Sequence, residues 1–359
     1  MRIIYDNIIF KLQKSGGISI LWKELLNRML ENKHVNLQAI EFSGAKKNFF
    51  RKELNIERYL SSKKYFFLKR YFDVKITSKE KTIFHSSYYR LAIGKNVINV
   101  TTVHDFTYEK YLKGFAKLIH TLQKKRAILK SDGIICISES TKRDLFHFLP
   151  QIKPNKVRVI YNGVDDNFKK IDTKINFSKK HTFADFDYAI YVGDHKTKYK
   201  NFEIAIKACS IQKMKLLIIG GGKLTKDEIF LLNYFIGKSN YQLLLEVSTE
   251  DLNQYYNRAF CLIYPSLYEG FGIPIVEAQK AGCPVIATNS SSIPEVIADL
   301  FFTLDNPTPE KIAQKMQLLE IGSDLRTKII ELGIKKAAYF NWDKTYNETL
   351  EFYNELYKQ

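Results

Sequence analysis

The sequence predicts an α/β protein made of two Rossmann-like halves, each a parallel sheet flanked by helices. Short apolar runs typical of buried strands alternate with longer amphipathic stretches along the whole chain. The chain has 359 residues, which suits two domains, and a polar stretch without clear periodicity interrupts the alternation near its middle. Strands that alternate with helices form parallel βαβ units, so two successive series of them indicate two sheets.

In the first half, six short runs are interpreted as strands because they are apolar or alternate between apolar and polar residues. They cover residues 1–6, 36–42, 81–87, 96–105, 133–138 and 156–163. Two longer stretches, residues 18–32 and 115–131, carry apolar residues at helical spacing and are interpreted as helices.

The second half repeats this pattern after the polar stretch. Its predicted strands are residues 188–194, 215–221, 241–247, 259–266 and 283–289, and its predicted helices are residues 201–212, 251–258 and 274–282. We therefore expect a first domain over residues 1–168, a linker over 169–186 and a second domain over 187–340.

Composition indicates a globular protein of a reducing compartment. Hydrophobic residues make up 45% and charged residues 26% of the chain. No apolar run approaches the roughly 20 residues of a membrane span, and the first residues do not resemble a secretory signal. The cysteines are far apart and form no C-x-x-C pair, so neither a zinc site nor a disulfide framework is predicted; they are Cys136, Cys209, Cys261 and Cys283.

Positive charge is concentrated in the first half. The formal net charge is +18; residues 1–170 hold 34 Lys and Arg against 15 Asp and Glu, and the remainder holds 22 against 23. This asymmetry indicates an anionic partner for one half, either nucleic acid or a membrane surface. Residues 57–72 interleave basic and aromatic side chains, which fits either a core helix with a basic outer face or a segment lying on anionic lipid.

The most specific motif lies within residues 261–289, a predicted strand–loop–helix–strand unit. Glu269 stands in a loop whose glycines, Gly270 and Gly272, let a ligand approach the backbone. The free N–H groups at the start of the following helix suit a phosphate, and Glu277 is expected in that helix's first turn. A first-turn Glu or a glycine-rich loop alone is common in proteins without such a ligand, but the combination is much more specific.

The spacing E-G-F-G-x-P-x-x-E resembles the Glu-x7-Glu motif of retaining GT-B glycosyltransferases of family 4, also called glycosyl transferases group 1. The resemblance implies that Glu269 contacts a donor sugar, that Glu277 binds the ribose of the nucleotide, and that Gly270, Phe271, Gly272 and Ile273 line the donor. It also implies two Rossmann-like domains facing across a cleft. The segment FNWDKT at residues 340–345 resembles the entry to a C-terminal helix, here residues 341–359, that crosses back to the first domain.

Further segments resemble the same family. Gly193, Lys200 and Asn201 match its Gly and Lys-Asn positions, where basic groups neutralise the donor diphosphate; Lys196 is the candidate for a second charge, although the loop also suits a solvated basic turn. Val247 would place backbone beside the base. No D-x-D carboxylate pair stands between a predicted strand and the loop that follows it, where it would suit a metal. This fits metal independence, and we expect neither metal nor cofactor.

In the first half, the strand end VTTVHD carries His104 and Asp105, which match a V-H-D segment near the reaction centre of the family. Gly16 and Gly17 resemble a glycine pair that approaches the phosphates and the acceptor, although a βα turn explains them equally well. The segment at residues 84–90 resembles bacterial surface-polysaccharide mannosyl- and rhamnosyltransferases.

The expected function is metal-independent, retaining transfer of a sugar from a GDP- or UDP-sugar, with GDP-mannose favoured, to a lipid-linked or growing bacterial surface oligosaccharide. Its setting would be the inner face of the cytoplasmic membrane, with the basic first domain on anionic lipid and no nucleic acid bound. Two alternatives are a basic nucleic-acid-binding α/β protein and a GT-B nucleotide-sugar epimerase or phosphorylase. A Rossmann dehydrogenase is disfavoured because G-x-G-x-x-G opens neither half.

Overall fold

The computed structural model describes residues 1–56, 59–62, 67–173 and 183–359. They form two compact units. One consists of Met1–Gly163 together with Trp342–Gln359, and the other of Val164–Asn341.

The first unit contains the strands β1 Arg2–Asp6, β2 Asn36–Phe42, β3 Tyr59–Ser62, β4 Val74–Lys75, β5 Thr82–Ser86, β6 Ala92–Ile93, β7 Val97–Val103, β8 Gly133–Cys136 and β9 Val157–Val159. Seven of them form a parallel sheet in the order β3-β2-β1-β5-β7-β8-β9, and β4 and β6 form a separate pair. Its helices are α1 Ile9–Leu12, α2 Gly17–Glu31, α3 Thr107–Tyr111, α4 Phe115–Lys130, α5 Glu139–Phe148 and, from the chain's end, α13 Trp342–Lys358.

The final helix completes the core of the first unit. Phe352 and Tyr353 of α13 pack in one buried cluster with Trp22 and Leu26 of α2. The Tyr353 hydroxyl lies 3.0 Å from that of Tyr5 on β1. A helix that lies more than 300 positions from Tyr5 in sequence thus covers the first sheet. The predicted return of the C-terminal helix to the first domain is confirmed.

The second unit contains the strands β10 Tyr188–Val192, β11 Lys215–Ile219, β12 Tyr241–Leu244, β13 Leu262–Tyr264, β14 Val285–Thr288 and β15 Thr303–Leu304. They form a parallel sheet in the order β12-β11-β10-β13-β14-β15. Its helices are α6 Phe202–Ile211, α7 Lys226–Phe235, α8 Thr249–Arg258, α9 Ile273–Lys280, α10 Ile293–Val296, α11 Pro309–Gln317 and α12 Asp324–Ala337.

The stretch expected to form a linker, residues 169–186, falls within the second unit. The backbone N–H groups of Lys169 and Ile171 donate to the side-chain oxygens of Asn253 and Asn257 on α8, at 3.0 and 2.9 Å. Two buried amides therefore hold the described start of this stretch against the second sheet's helices.

Of the two interpretations of residues 57–72, the core helix does not fit the described part of the segment. Tyr59–Ser62 forms an edge strand whose backbone pairs in parallel with β2, and Phe67–Tyr71 forms a separate 3₁₀ turn. Residues 57–58 and 63–66 of this basic, aromatic segment, Lys63 and Lys64 among them, lie outside the described residues. Across the described ranges, no helix combines the length and apolarity needed to span a bilayer.

Candidate functional site

The order of strands places a crevice in the middle of the second sheet. From β10 the chain continues to β11 and β12 on one side, and then returns to β13 on the other side of β10. Parallel sheets bind ligands beyond the carboxyl ends of their strands at such a switch point. The loops that follow β10 and β13 are the ones that carry Gly193–Asn201 and Glu269–Gly272.

The loop after β10 is shaped by two residues with left-handed backbone. Gly193 has φ +141°, and its N–H donates to Ile219 O at 3.0 Å. Asn201 has φ +51° and is the N-cap residue that precedes α6, while its side-chain amide donates to Pro265 O at 2.9 Å. This amide ties the β10 loop to the β13 loop and brings Lys200 beside the second loop.

Lys200 and Glu269 form the central ion pair of the site. The Lys200 ammonium lies 3.0 Å from Glu269 Oε1, and both side chains are mostly buried. The Glu269 backbone is held on both sides, since its N–H donates to Ser291 Oγ at 2.8 Å and its carbonyl accepts from Ser292 Oγ at 2.9 Å. A side chain added at Gly193 would contact Lys200, its Cβ lying 3.7 Å from the ammonium. The glycine therefore keeps space open beside a fixed cation.

The helix after this loop starts at Ile273, directly behind Gly272, whose φ of +101° favours glycine. Glu277 is the fifth residue of α9 and lies in its second turn, so its predicted place in the first turn is wrong. The helix begins one residue earlier than the predicted start at residue 274, because the left-handed Gly272 is its N-cap residue. Phe271 is buried, and Gly270 is half-buried.

The Glu277 carboxyl has a raised pKa. Burial raises the pKa of its carboxyl to about 7, against a hydrogen bond from Tyr256 that favours the ionised form. The Tyr256 hydroxyl donates to Glu277 Oε2 at 3.2 Å. A carboxyl that titrates near neutrality gains from a ligand that donates hydroxyl hydrogen bonds to it.

His195 and Lys196 follow Gly193 but play different parts. His195 is buried; its Nδ1 lies 2.6 Å from Glu228 Oε1, and its Nε2 lies 3.0 Å from Gly222 O. It packs so closely on the glycine loop after β11 that a Cβ at Gly221 would lie 2.3 Å from its ring. Lys196 is exposed, with its ammonium on the Gly222 side of the loop. Val247 is half-buried on the loop after β12, the edge strand.

The candidates of the first unit lie at the carboxyl edge of the other sheet. His104 and Asp105 follow β7, while Gly16 and Gly17 precede and open α2. Burial lowers the pKa of His104 to about 4, so its imidazole is neutral at pH 7. The side chain of Asp105 accepts from the Thr107 N–H at 2.9 Å.

Several residues of the site escaped prediction. The Tyr256 hydroxyl carries no local signal, because many helices contain a tyrosine. The contacts of Ser291 and Ser292 with the Glu269 backbone could not be predicted, because 22 and 23 positions separate them in sequence. The run Gly220–Gly222 at the end of β11, with all three residues at positive φ, could have been found as a glycine-rich strand end.

Fold and site together define a two-domain α/β protein with a polar crevice at the switch point of its second sheet. Sequence profiles then match both units: the family described as Glycosyl transferases group 1 matches residues 172–336, and Glycosyltransferase Family 4 matches residues 16–168. The chain belongs to this family of glycosyltransferases. The predicted family and the predicted GT-B fold class are confirmed.

Individual relatives are distant. O-antigen chain mannosyltransferase B of Escherichia coli is 31% identical over 50% of this chain and 48% of its own length. The O-antigen biosynthesis glycosyltransferase WclY of Escherichia coli is 26% identical over 79% of this chain and 81% of its own. The chain spans 62% and 48% of the lengths of the first two curated relatives that it matches.

Among solved structures, a glycosyltransferase from Rickettsia africae ESF-5 superimposes with a TM-score of 0.68 and covers 100% of this chain and 99% of its own. The sequence identity is 19%, so this likeness concerns the fold.

Proposed function

We propose that the chain is a retaining, metal-independent glycosyltransferase of bacterial surface-polysaccharide synthesis. It transfers a hexose from a nucleotide-diphosphate sugar, with GDP-mannose favoured over a UDP-sugar, to a lipid-linked or growing oligosaccharide. The names of the Escherichia coli relatives, which refer to O-antigen, support the polysaccharide class. The domain limits of residues 1–168, 169–186 and 187–340 remain part of this proposal.

The observation that carries the proposal is the Lys200–Glu269 pair at the switch point, 3.0 Å apart and beside the open face of Gly193. A donor diphosphate offers anionic oxygens to Lys200, and the sugar offers hydroxyls to the Glu269 carboxylate. Preorganised charge of this kind stabilises a leaving diphosphate in a partly buried site. Both partners are already fixed by other contacts, so little reorganisation is needed when a donor binds.

The remaining residues take supporting roles. Glu277 accepts hydrogen bonds from the ribose hydroxyls, and the N–H groups at the start of α9 face the phosphates. Lys196 supplies a second positive charge, and Val247 lies beside the base. In the first unit, His104 and Asp105 bind near the transferred sugar, and Gly16 and Gly17 leave room for phosphates and acceptor.

Transfer with retention needs no protein nucleophile in this proposal. The acceptor oxygen bonds to the anomeric carbon on the face from which the diphosphate departs. The bond between the anomeric carbon and the phosphate oxygen breaks, and the acceptor proton passes to that phosphate oxygen. Lys200 stabilises the charge that develops on the leaving group.

The carboxylates also argue against the nucleic-acid alternative, since Glu269 and Glu277 would repel a phosphodiester backbone in the same crevice. An epimerase would share the donor site, and the experiment must separate it from a transferase.

The test is a donor panel of GDP- and UDP-sugars, followed by product analysis on a synthetic lipid-linked acceptor. We expect one donor to be consumed only with acceptor present, and the new linkage to keep the donor's anomeric configuration in the NMR spectrum. Lys200→Ala should lower kcat by about 100-fold or more, as loss of one oxyanion-type donor does, without changing the preferred sugar. EDTA should leave the rate unchanged.

Three results would refute parts of the proposal. Epimerised donor without acceptor would favour the epimerase, inverted product would exclude retention, and rescue of a chelated enzyme by Mn²⁺ would exclude metal independence. Lys198→Ala, which removes an exposed lysine from the same loop, is the matched control and should keep most of the activity.

A further inference from the structure

Helix α4 of the first unit exposes an apolar stripe to solvent. Phe115 is 75% exposed, Leu118 53% and Leu122 57%, and Leu129 continues the row. Their spacing of three, four and seven residues places them on one side of the helix. We call Phe115, Leu118, Leu122 and Leu129 the α4 stripe. An exposed apolar stripe is the opposite of the usual arrangement, in which the apolar side of a surface helix faces the core.

The stripe is bordered by positive charge. The sequence of α4 holds five Lys or Arg and neither Asp nor Glu. At 100° per residue, Lys125 lies along one border of the stripe and Lys130 along the other. Both are exposed, and within the described part of the chain neither makes an ion pair or a side-chain hydrogen bond. Arg126, in contrast, is paired with Asp73.

We propose that the α4 stripe binds the surface of a bilayer that contains anionic phospholipid. An interfacial helix buries its apolar side at the boundary of headgroups and acyl chains, while flanking Lys and Arg meet the anionic headgroups. The stripe runs about 21 Å along the helix, at 1.5 Å per residue, so the helix would lie parallel to the membrane.

Charge and chemistry favour lipid over other occupants. A second copy of the chain would bring two positively charged borders together. Nucleic acid would satisfy the lysines with phosphates, but it offers no apolar layer to three leucines. An anionic bilayer satisfies both parts of the surface at once.

The inner side of α4 holds the helix firmly on the first unit. Buried Lys124 donates to Glu109 Oε2 at 3.0 Å and to the backbone oxygen of Asp105, at the end of β7. Gln123 donates to Arg70 O at 2.5 Å. A docked α4 would therefore fix the orientation of the strand end that carries His104 and Asp105. The inference rests on the proposed function because a lipid-linked acceptor would be presented at this surface.

The experiment measures binding of the full chain to vesicles by co-sedimentation, without donor. Vesicles of phosphatidylglycerol and phosphatidylcholine should bind the protein, and phosphatidylcholine alone should not. Leu118→Ser with Leu122→Ser should weaken binding about 10-fold or more, because the apolar side then has less to bury. Lys125→Ser with Lys130→Ser should weaken it several-fold and reduce its dependence on salt.

A matched control comes from the second unit. Phe230 and Tyr234 on α7 are 66% and 74% exposed and stack on each other. Changing both to Ser removes a similar exposed apolar area and should leave vesicle binding unchanged.

Leu122→Trp gives a second measurement. The two native tryptophans, Trp22 and Trp342, are buried, so a new Trp on the stripe should dominate the change in emission. Its emission should shift to the blue on anionic vesicles, and brominated phospholipid should quench it.

Equal binding to neutral vesicles, binding that survives the double leucine change, or an unshifted Trp would each overturn the inference. So would tight binding of duplex DNA to wild type but not to the lysine variant. Turnover on a water-soluble acceptor, measured in the same preparations, separates the two proposals. Its absence from wild type would refute the proposed function, whereas its persistence in variants that no longer bind vesicles is expected.

Discussion

Changing Glu277 to Gln should remove the free-energy cost of ionising a buried carboxyl, which destabilises the folded protein above neutral pH. The change keeps the shape of the side chain and a partner for the Tyr256 hydroxyl, but it abolishes the titration. Burial raises the pKa of the carboxyl from 4.5 to about 7. At ~1.36 kcal/mol per pKa unit, ionisation in the folded state therefore costs about 3 kcal/mol.

The sign follows from which state binds the proton. Between pH 4.5 and 7 the folded protein holds a proton on Glu277 that the unfolded chain has lost, so this group lowers stability as pH rises through that range. Glu277→Gln does not titrate. Its free energy of unfolding relative to wild type should therefore increase from pH 5 to pH 7 and then level off.

The assay is urea unfolding at several pH values between 5 and 8, followed by circular dichroism. Tryptophan fluorescence is unsuitable because both tryptophans lie in the first unit. Tyr256→Phe is the control: it removes the hydrogen bond that favours the carboxylate, and it should raise the pKa of Glu277 further. A difference between wild type and Glu277→Gln that stays constant over this pH range would refute the reasoning.

The same carboxyl links stability to ligand binding. If it accepts ribose hydroxyls, binding of GDP or UDP at pH 6 should release close to one proton, which calorimetry in two buffers of different ionisation enthalpy detects. Glu277→Gln should bind more weakly and release none. Wild-type affinity in the variant would exclude the ribose role while leaving the stability prediction intact.

Three further changes test how buried contacts hold each unit. Gly221→Ala should destabilise the second unit by about 2 kcal/mol or more in calorimetry, because φ is +74° and the new Cβ would meet His195. Adding His195→Ala should recover only part of the lost stability, since the backbone strain remains. Lys124→Met should lower the free energy of unfolding of the first unit by about 3–5 kcal/mol, because it leaves Glu109 buried without its cation. A smaller loss would mean that water replaces the ammonium group. Tyr353→Phe should cost the first unit about 1–2 kcal/mol in fluorescence-detected urea unfolding, and unchanged stability would mean that its hydrogen bonds add nothing.

Much of the fold could be predicted because its signals are local. The apolar runs of β1, β7 and β10 each mark a buried strand within a few residues, and periodicity marks α2 and α4 equally well. For residues 57–72 the sequence left two interpretations open, a core helix and a segment on anionic lipid, because interleaved basic and aromatic residues suit both. Pairing with β2, which the segment itself does not encode, decided that Tyr59–Ser62 is a strand.

The features of the candidate site also fall into those that the sequence could predict and those that it could not. The motif around Glu269 and Glu277 is short and could be recognised from the sequence. The contact of Glu269 with Lys200 could not, because the two residues are 69 positions apart and meet only since β13 lies beside β10. The raised pKa of Glu277 likewise depends on burial, which is a property of the packed unit.

The spacing of apolar residues and the five Lys and Arg side chains of residues 115–130 were enough to predict a helix rich in positive charge. Which side of that helix faces the protein became clear from the folded first unit. Because Lys124, Ala127 and Ile128 fill the space against the first sheet, Phe115, Leu118 and Leu122 are left in solvent. Periodicity reports that a helix has an apolar side, but the identity of the buried side depends on what the neighbouring elements offer it.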